Sequence, residues 1–309
     1  MKPADFDIFK NMLYAKSGLV ITMDKAYLLE SRLAPVIKKH NIESMDALAA
    51  KLRMAPPPAL VEDIVDAMTT NETMFFRDQR PFDKFRDVVV PAIVKAKGPN
   101  CTIRIWSAAC SSGQEPYTLA IMMKENAAKW AGVKFEIIAT DLSREILDQA
   151  RAAKYSQFEV QRGMPIMMLV KYFTQTGEQW TVKDDIKSMV QFKAFNLLDP
   201  MDSLGNFDII FCRNVLIYFD QQTKGNILGR MAKRIANHGF LFLGGAETVL
   251  GITDTFRPLE GERGLYVPAS APAQPLGTTP SGQPAASPSA ASPSAIRPPA
   301  TATGGLNRA

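Results

Sequence analysis

Apolar positions in the first seventy residues recur at helical spacing. Phe6, Phe9 and Leu13 fall on one face, and Leu60, Val61, Ile64, Val65 and Met68 form a second stripe. The Pro56-Pro57-Pro58 run separates two helices. After Pro91 the pattern changes to short apolar runs, TIRIWSAA, KFEIIATD, MVQFKAFNLL, FDIIFCRN and GFLFLGGAE, with helix-like stretches between most of them. That alternation predicts βαβ units and hence a parallel α/β sheet. The last pair of runs, GFLFLGG and GLYVP, lacks a convincing helix between its members, which predicts antiparallel strands closing the sheet's edge. Residues 155–190 break the rhythm and read as a small insertion, and no internal repeat is visible.

From Ala269 to Ala309 the chain turns to Pro, Ala, Ser, Thr and Gly, without an aromatic or acidic residue. Such a composition cannot bury enough surface to order itself, so a disordered tail is expected. The tail's two arginines, Arg297 and Arg308, supply two of the five net positive charges, leaving a folded body that is only mildly basic. Nucleic-acid binding gains little support from that balance. A hydrophobic content of 46% with 22% charged residues fits a globular chain. The amino terminus lacks the apolar run of a secretory signal, and FDIIFCRNVLIYF is interrupted by Arg213 and Asn214, so a soluble, cytoplasmic protein is expected. Three cysteines without a C-x-x-C spacing argue against a disulfide framework or a zinc site. With only His40 and His238, imidazole-based catalysis and multi-histidine metal centres are poorly supplied.

Polar groups gather where successive strands are predicted to end. The first strand leads into SAACSSGQEPYTLAI, whose small residues let a ligand approach the backbone, although an ordinary strand-to-helix turn fits the same pattern. Glu115 sits in the first helical turn. There it complements the helix dipole, disfavours a pyrophosphate and suits a cofactor with a cationic amino group. Asp141 ends the second strand, where nucleoside-binding folds place an acid against ribose hydroxyls; alternatively, Asp141 or Ser143 caps the next helix. Together they suggest adenosine without pyrophosphate, the description of S-adenosylmethionine. Asn196, Leu197, Arg213, Asn214 and Val215 follow the third and fourth strands at the same edge. The plain alternatives are a turn for Asn196 and a surface ion pair for Arg213. Tyr218, taken alone, reads more readily as a core aromatic with a hydrogen-bonded hydroxyl than as a catalytic group. In TTNETMFFRD, Thr69 and Glu72 match a capping box, while Asn71, Thr73 and Arg77 fall at the junction of the helical region and the sheet. Lys25, Arg32 and Lys39 recur every seven residues with Lys38 alongside, forming a basic stripe that Pro35 is expected to kink or interrupt.

Taken in order, TTNETMFFRD, RIWSAACSSGQEPYTLAI, ATDLSREIL, FNLLD and FDIIFCRNVLIYFD resemble the chemotaxis receptor methyltransferases of the CheR type, over about residues 5–268. The resemblance implies a class I S-adenosylmethionine-dependent methyltransferase: an α/β fold with a Rossmann-like, mostly parallel sheet, an amino-terminal all-helical domain and a small inserted β-subdomain. It divides the chain into a helical domain over 1–75, a linker helix over 76–90 and a cofactor-binding domain over 91–268. The β-subdomain falls at 155–190, and 269–309 remain as a tail. It implies that Asn71, Thr73, Arg77, Glu115, Asp141, Asn196, Leu197, Asn214 and Val215 contact S-adenosylmethionine, and that Arg77 and Tyr218 lie near the transferred methyl group. Lys25, Arg32, Lys38 and Lys39 would face an acidic methylation region on the cytoplasmic helices of a chemoreceptor. The implied product is a glutamate methyl ester, made by a monomeric enzyme without a metal. Because YFTQTGEQWTVKDD looks short and carries one glycine, membership of a group that docks no receptor pentapeptide is expected.

This chemistry suits the residues present. A glutamate side chain has a reference pKa near 4.3, so the attacking oxygen is anionic at neutral pH and needs no general base. A noncatalytic, cofactor-binding signalling adaptor with the tail as its arm is the main alternative. A nucleic-acid methyltransferase ranks last, because the fourth strand ends in RNVLIY instead of an N-P-P-Y type motif.

Overall fold

The structure is a computed structural model and describes residues 1–272. The expected tail lies outside the described residues from position 273 onward.

Four helices build the amino-terminal part: α1 (Pro3–Ser17), α2 (Ala26–Lys39), α3 (Met45–Arg53) and α4 (Pro58–Met68). Phe6, Phe9 and Leu13 of α1, Leu29, Leu33 and Val36 of α2, Leu48 of α3, and Leu60, Ile64 and Met68 of α4 are buried together in one core. Gly18 ends α1 in the left-handed conformation (φ 73°) and donates its N–H to the Tyr14 carbonyl. A Cβ there would press on the Phe219 ring, so the same glycine permits close approach of the segment that carries Phe219. Helix α2 runs unbroken through Pro35, contrary to the expected interruption. The carbonyl deprived of its bond belongs to exposed Ser31, where water can replace the lost donor, while buried Leu33 and Val36 hold the helix in place.

The connecting segment differs from a helix over 76–90. Phe76, Asp78 and Gln79 all adopt positive φ, and helix begins only at α5 (Arg80–Lys84), continuing through a π-helical turn (Phe85–Val89) into α6 (Val90–Lys97). Phe82 and Phe85 pack against Phe211 of the sheet.

The remaining elements, in order, are β1 (Thr102–Ala108), α7 (Gln114–Glu125), β2 (Lys134–Asp141), α8 (Arg144–Ala152), β3 (Lys154–Ser156), α9 (Gln157–Gln161), α10 (Ile166–Tyr172), β4 (Phe173–Thr176), β5 (Gln179–Val182), α11 (Asp184–Lys187), β6 (Val190–Ala194), β7 (Phe207–Cys212), α12 (Gln221–Ala232), β8 (Ile235–Leu243), β9 (Phe256–Pro258) and β10 (Leu265–Pro268). Seven strands form one sheet in the order β6-β2-β1-β7-β8-β10-β9. The five strands from β6 to β8 are parallel; β10 runs antiparallel to β8, and β9 antiparallel to β10. The outer edge is therefore β9, a three-residue strand too short for its alternation to be read, and not β10. Three short antiparallel strands, β3-β5-β4, form a second sheet with α9 and α10 beside it.

Strand order reverses between β1 and β7, whose following loops leave toward opposite sides. At such a switch point the carboxyl ends of the strands form a crevice. The registers Ala108 with Thr140, Asp141 with Ala194, and Ser107 with Phe211 bring those ends to one edge.

Candidate active site

A cleft opens at this edge, between the sheet and the amino-terminal helices. Asn71, Thr73, Arg77, Glu115, Asp141, Asn196, Leu197, Asn214, Val215 and Tyr218 all line it. Lys25, Arg32 and Lys38 line no cleft at this edge, and Lys39 faces a separate groove between α4 and α8.

The loop from β1 to α7 is wound tightly, with positive φ at Ala109, Ser111 and Gly113. At Gly113 a Cβ would stand 3.1 Å from that of Ala150 on α8, tighter than ordinary contact, at a φ of 92° that side chains rarely adopt. Asp141 fixes this loop from the next strand. Its carboxylate accepts the Ser111 N–H at 2.8 Å and the Ser143 N–H at 3.1 Å. Burial pushes the Asp141 carboxyl above its ordinary pKa, and the backbone donors oppose that rise. The helix cap is Ser143, which accepts the Ile146 N–H, so Asp141 is left to the loop and the cleft.

Arg213 is the electrostatic centre of the site. Its side chain is only 2% exposed, which overturns the reading as a surface ion pair. The guanidinium donates to Glu115 at 3.0 Å, to the Asp78 carboxylate at 2.8 Å and to the Arg77 carbonyl at 2.9 Å, with its plane over Phe82. Glu115 also accepts the Ser107 hydroxyl at 2.8 Å. Two carboxylates thus compensate one buried cation, as such burial requires. The Arg213 Nε has no partner among the described residues.

Thr69 and Glu72 form no capping box, because no helix starts there. Thr69 instead ends α4, its hydroxyl donating to the Asp66 carbonyl. The segment continues without regular structure to Phe75. Its Asn71 donates to the Thr69 hydroxyl and accepts the Ser111 hydroxyl on its carbonyl at 2.8 Å. Arg77 donates one hydrogen bond, to the Glu72 carbonyl, and Glu72 pairs with Arg162 from the small subdomain.

After β7, Asn214 adopts φ 59° and opens the turn that carries Tyr218. Glu247, from the loop after β8, secures this turn. Its carboxylate accepts the N–H groups of Asn214, Val215, Leu216 and Gly244 at 2.6–2.9 Å. The Tyr218 carbonyl accepts the Val20 N–H. Asn196 spends its side chain on the Lys16 carbonyl at 2.7 Å and the Leu198 N–H at 3.0 Å, tying α1 to the edge of the sheet.

Sequence reasoning did not single out Ser111, Ser17 and Leu19, which also line the cleft, or Glu247, which holds the turn behind its wall. Glu247 had a signal, an acid directly after the small residues that end an apolar strand. Ser17 and Leu19 had none, because their place depends on how α1 meets the sheet.

Of the basic stripe, Arg32 turns inward to the carbonyls of Met68 and Thr69, and Lys39 pairs with Asp63 at 2.8 Å. Lys25 and Lys38 are exposed and form no salt bridge among the described residues. No helix among the described residues is long and apolar enough to cross a membrane.

Two family models match the chain: "CheR methyltransferase, all-alpha domain" over residues 4–69 and "CheR methyltransferase, SAM binding domain" over residues 71–265. Chemotaxis protein methyltransferase 1 of Pseudomonas aeruginosa is 41% identical over 268 residues, which cover 85% of this chain and 96% of that protein. Chemotaxis protein methyltransferase Cher2 of Pseudomonas putida is 39% identical over 269 residues, covering 86% of this chain and 98% of that protein. Chemotaxis protein methyltransferase 1 of Vibrio cholerae is 39% identical over 260 residues, covering 83% and 94%. With both models and nearly the full length of these relatives matched, the chain belongs to the CheR family of S-adenosylmethionine-dependent methyltransferases.

Proposed function

We propose that this methyltransferase esterifies glutamate side chains on the cytoplasmic helices of a chemoreceptor. The observation that carries the proposal is a methyl-transfer cleft without a free base. His40 is bonded to Asp63 and His238 to Asp208, both away from the cleft. Burial pushes the thiol of Cys110, which does line the cleft, well above its ordinary range. Glu115, Asp141 and Glu72, the acids that line the cleft, are paired with Arg213, with backbone donors and with Arg162 respectively. Amine and hydroxyl acceptors must lose a proton to react, whereas a carboxylate at neutral pH is ready as it stands. The relatives' names add the chemotaxis context.

The residues present fit S-adenosylmethionine. Asp141 is a buried acid at a strand end suited to ribose hydroxyls, and Leu142, Phe195 and Leu197 offer apolar surface for a purine. Glu115 suits an ammonium group. The free donors of Arg77 suit a carboxylate. When bound, the cofactor supplies a methyl group on a sulfonium centre. Arg77 and Tyr218 orient the incoming glutamate, and the half-buried wall formed by Val215, Tyr218 and Phe219 strips water from it. Lys25 and Lys38, exposed on and beside α2, favour an acidic partner.

The test is methyl transfer from radiolabelled S-adenosylmethionine to membranes that contain candidate receptors. A methyl ester releases its label as volatile methanol in base. Label that survives base belongs to another acceptor and refutes the proposal.

A further inference from the structure

We infer that Arg32 is a positioning residue for the cofactor cleft, not a free contact for an acidic partner. Its Nη1 donates to the Met68 carbonyl at 2.9 Å and to the Thr69 carbonyl at 3.1 Å, and Nη1 and Nη2 both reach the Thr70 hydroxyl at 3.3–3.4 Å. These acceptors are the last carbonyl of α4 and the first two residues of the irregular segment that follows, at the negative end of the helix dipole. Thr69 and Thr70 line the cleft. From them the hydrogen bonds continue without a gap: Asn71 to the Thr69 hydroxyl, Ser111 to the Asn71 carbonyl, and the Ser111 N–H to Asp141. Arg32 is thus the outer end of a path that runs from α2 to the acid assigned to the ribose.

The segment 69–74 has no ladder or helical turn of its own, so its shape depends on side chains from elsewhere. A planar guanidinium can hold adjacent acceptors in one fixed arrangement, which the single point charge of lysine cannot reproduce. Helix α2 also exposes Lys38, with Lys25 at its amino-terminal end, so the helix that meets the acidic partner is bolted to the loop that meets the cofactor.

This inference rests on the cleft reading proposed above. Calorimetric titration of S-adenosylhomocysteine into the full chain, below the thermal transition of every variant, tests it. Arg32→Ala weakens binding by about 5- to 50-fold and raises KM for S-adenosylmethionine while leaving kcat at saturation nearly unchanged. Arg32→Lys does not restore the affinity. Thr70→Val keeps Arg32 and removes its outer acceptor, shifting the affinity in the same direction by less; it decides the matter if Arg32→Ala does not fold. Affinity within twofold of the parent in folded Arg32→Ala, or in Thr70→Val where Arg32→Ala does not fold, overturns the inference. So does a loss confined to KM for the receptor. Asp141→Ala, titrated alongside, separates the two readings: if it too binds normally, the cleft assignment fails, and if it alone weakens, only the role of Arg32 fails.

Discussion

Glu247→Gln replaces one oxygen with an NH2 group and alters almost no volume, yet it strikes at the turn that follows β7. In the parent, Oε1 accepts from Val215 and Leu216 at 2.9 and 2.7 Å, and Oε2 accepts from Asn214 and Gly244 at 2.8 and 2.6 Å. An amide can keep one of these pairs. Its NH2 then faces two backbone donors, and the charge that strengthened all four bonds is gone. Losing two charge-assisted bonds at about 1.5–3 kcal/mol each, with partial relief by rotation and water, gives an expected loss of about 2–4 kcal/mol. Because the turn also fixes Asn214 and Val215 on the cleft wall, affinity for S-adenosylhomocysteine falls by about tenfold or more. Urea denaturation read at constant m, paired with calorimetry, measures both. A variant within about 0.5 kcal/mol of the parent that binds the product normally would refute the claim that this carboxylate organises the turn.

On the proposed reading, Arg77→Ala lowers kcat by about 10²-fold or more with a much smaller change in product affinity; initial rates and calorimetry check this, and equal losses in both would reduce Arg77 to a cofactor anchor. Asp141→Ala weakens S-adenosylhomocysteine binding by about 10- to 100-fold, the worth of a charge-assisted bond, and unchanged titration would remove the ribose assignment. Asp66, in the last turn of α4, has its carboxyl raised to about 6, first by burial and then by nearby Glu145, Asp63 and Asp141, with a Ser143 hydrogen bond acting against them. A raised acid binds more protons in the folded state, so its contribution is fully present below the unfolded pKa near 3.8 and is lost as pH rises through about 6. Asp66→Asn is therefore expected to match the parent near pH 4 and exceed it by about 1–3 kcal/mol at pH 8. Denaturation curves showing the same difference at both pH values would contradict this.

The sheet was legible because its strands announce themselves one at a time. Five apolar runs separated by helical stretches imply a parallel sheet, and in such a sheet the polar residue that follows each strand must reach one edge. Asp141, Asn196 and Asn214 could therefore be gathered without knowing a single distance. What escaped notice lies in relations between elements. Arg213 looked like a surface cation because sequence does not show that Glu115 and Asp78, contributed by α7 and the connecting segment, meet around it. The spacing of Thr69 and Glu72 matched a cap, but Thr69 closes the preceding helix, and a local motif cannot tell an ending from a beginning when both are adjacent. Regular spacing placed Arg32 with Lys25 and Lys39 on one stripe, and only the packing of α2 against α4 turns its guanidinium inward.

The strained positions reveal how the site is assembled. Of the non-glycine residues with positive φ, Phe76, Asp78 and Gln79 flank or follow Arg77, Ala109 and Ser111 form the first loop, and Asn214 opens the turn after β7. Each such position costs about 1–2 kcal/mol unless its surroundings impose it. Here a buried ionic side chain from another element does so at Asp78, Ser111 and Asn214: Arg213 takes the Asp78 carboxylate and the neighbouring Arg77 carbonyl, Asp141 takes the Ser111 N–H, and Glu247 takes the N–H of Asn214. Arg213 and Asp141 also line the cleft, so the charges offered to a ligand are already fixed by holding the loops around it. A charge whose orientation is settled by the fold needs little reorganisation when the ligand arrives, and on the proposed reading this is how the cleft accelerates methyl transfer without a catalytic base.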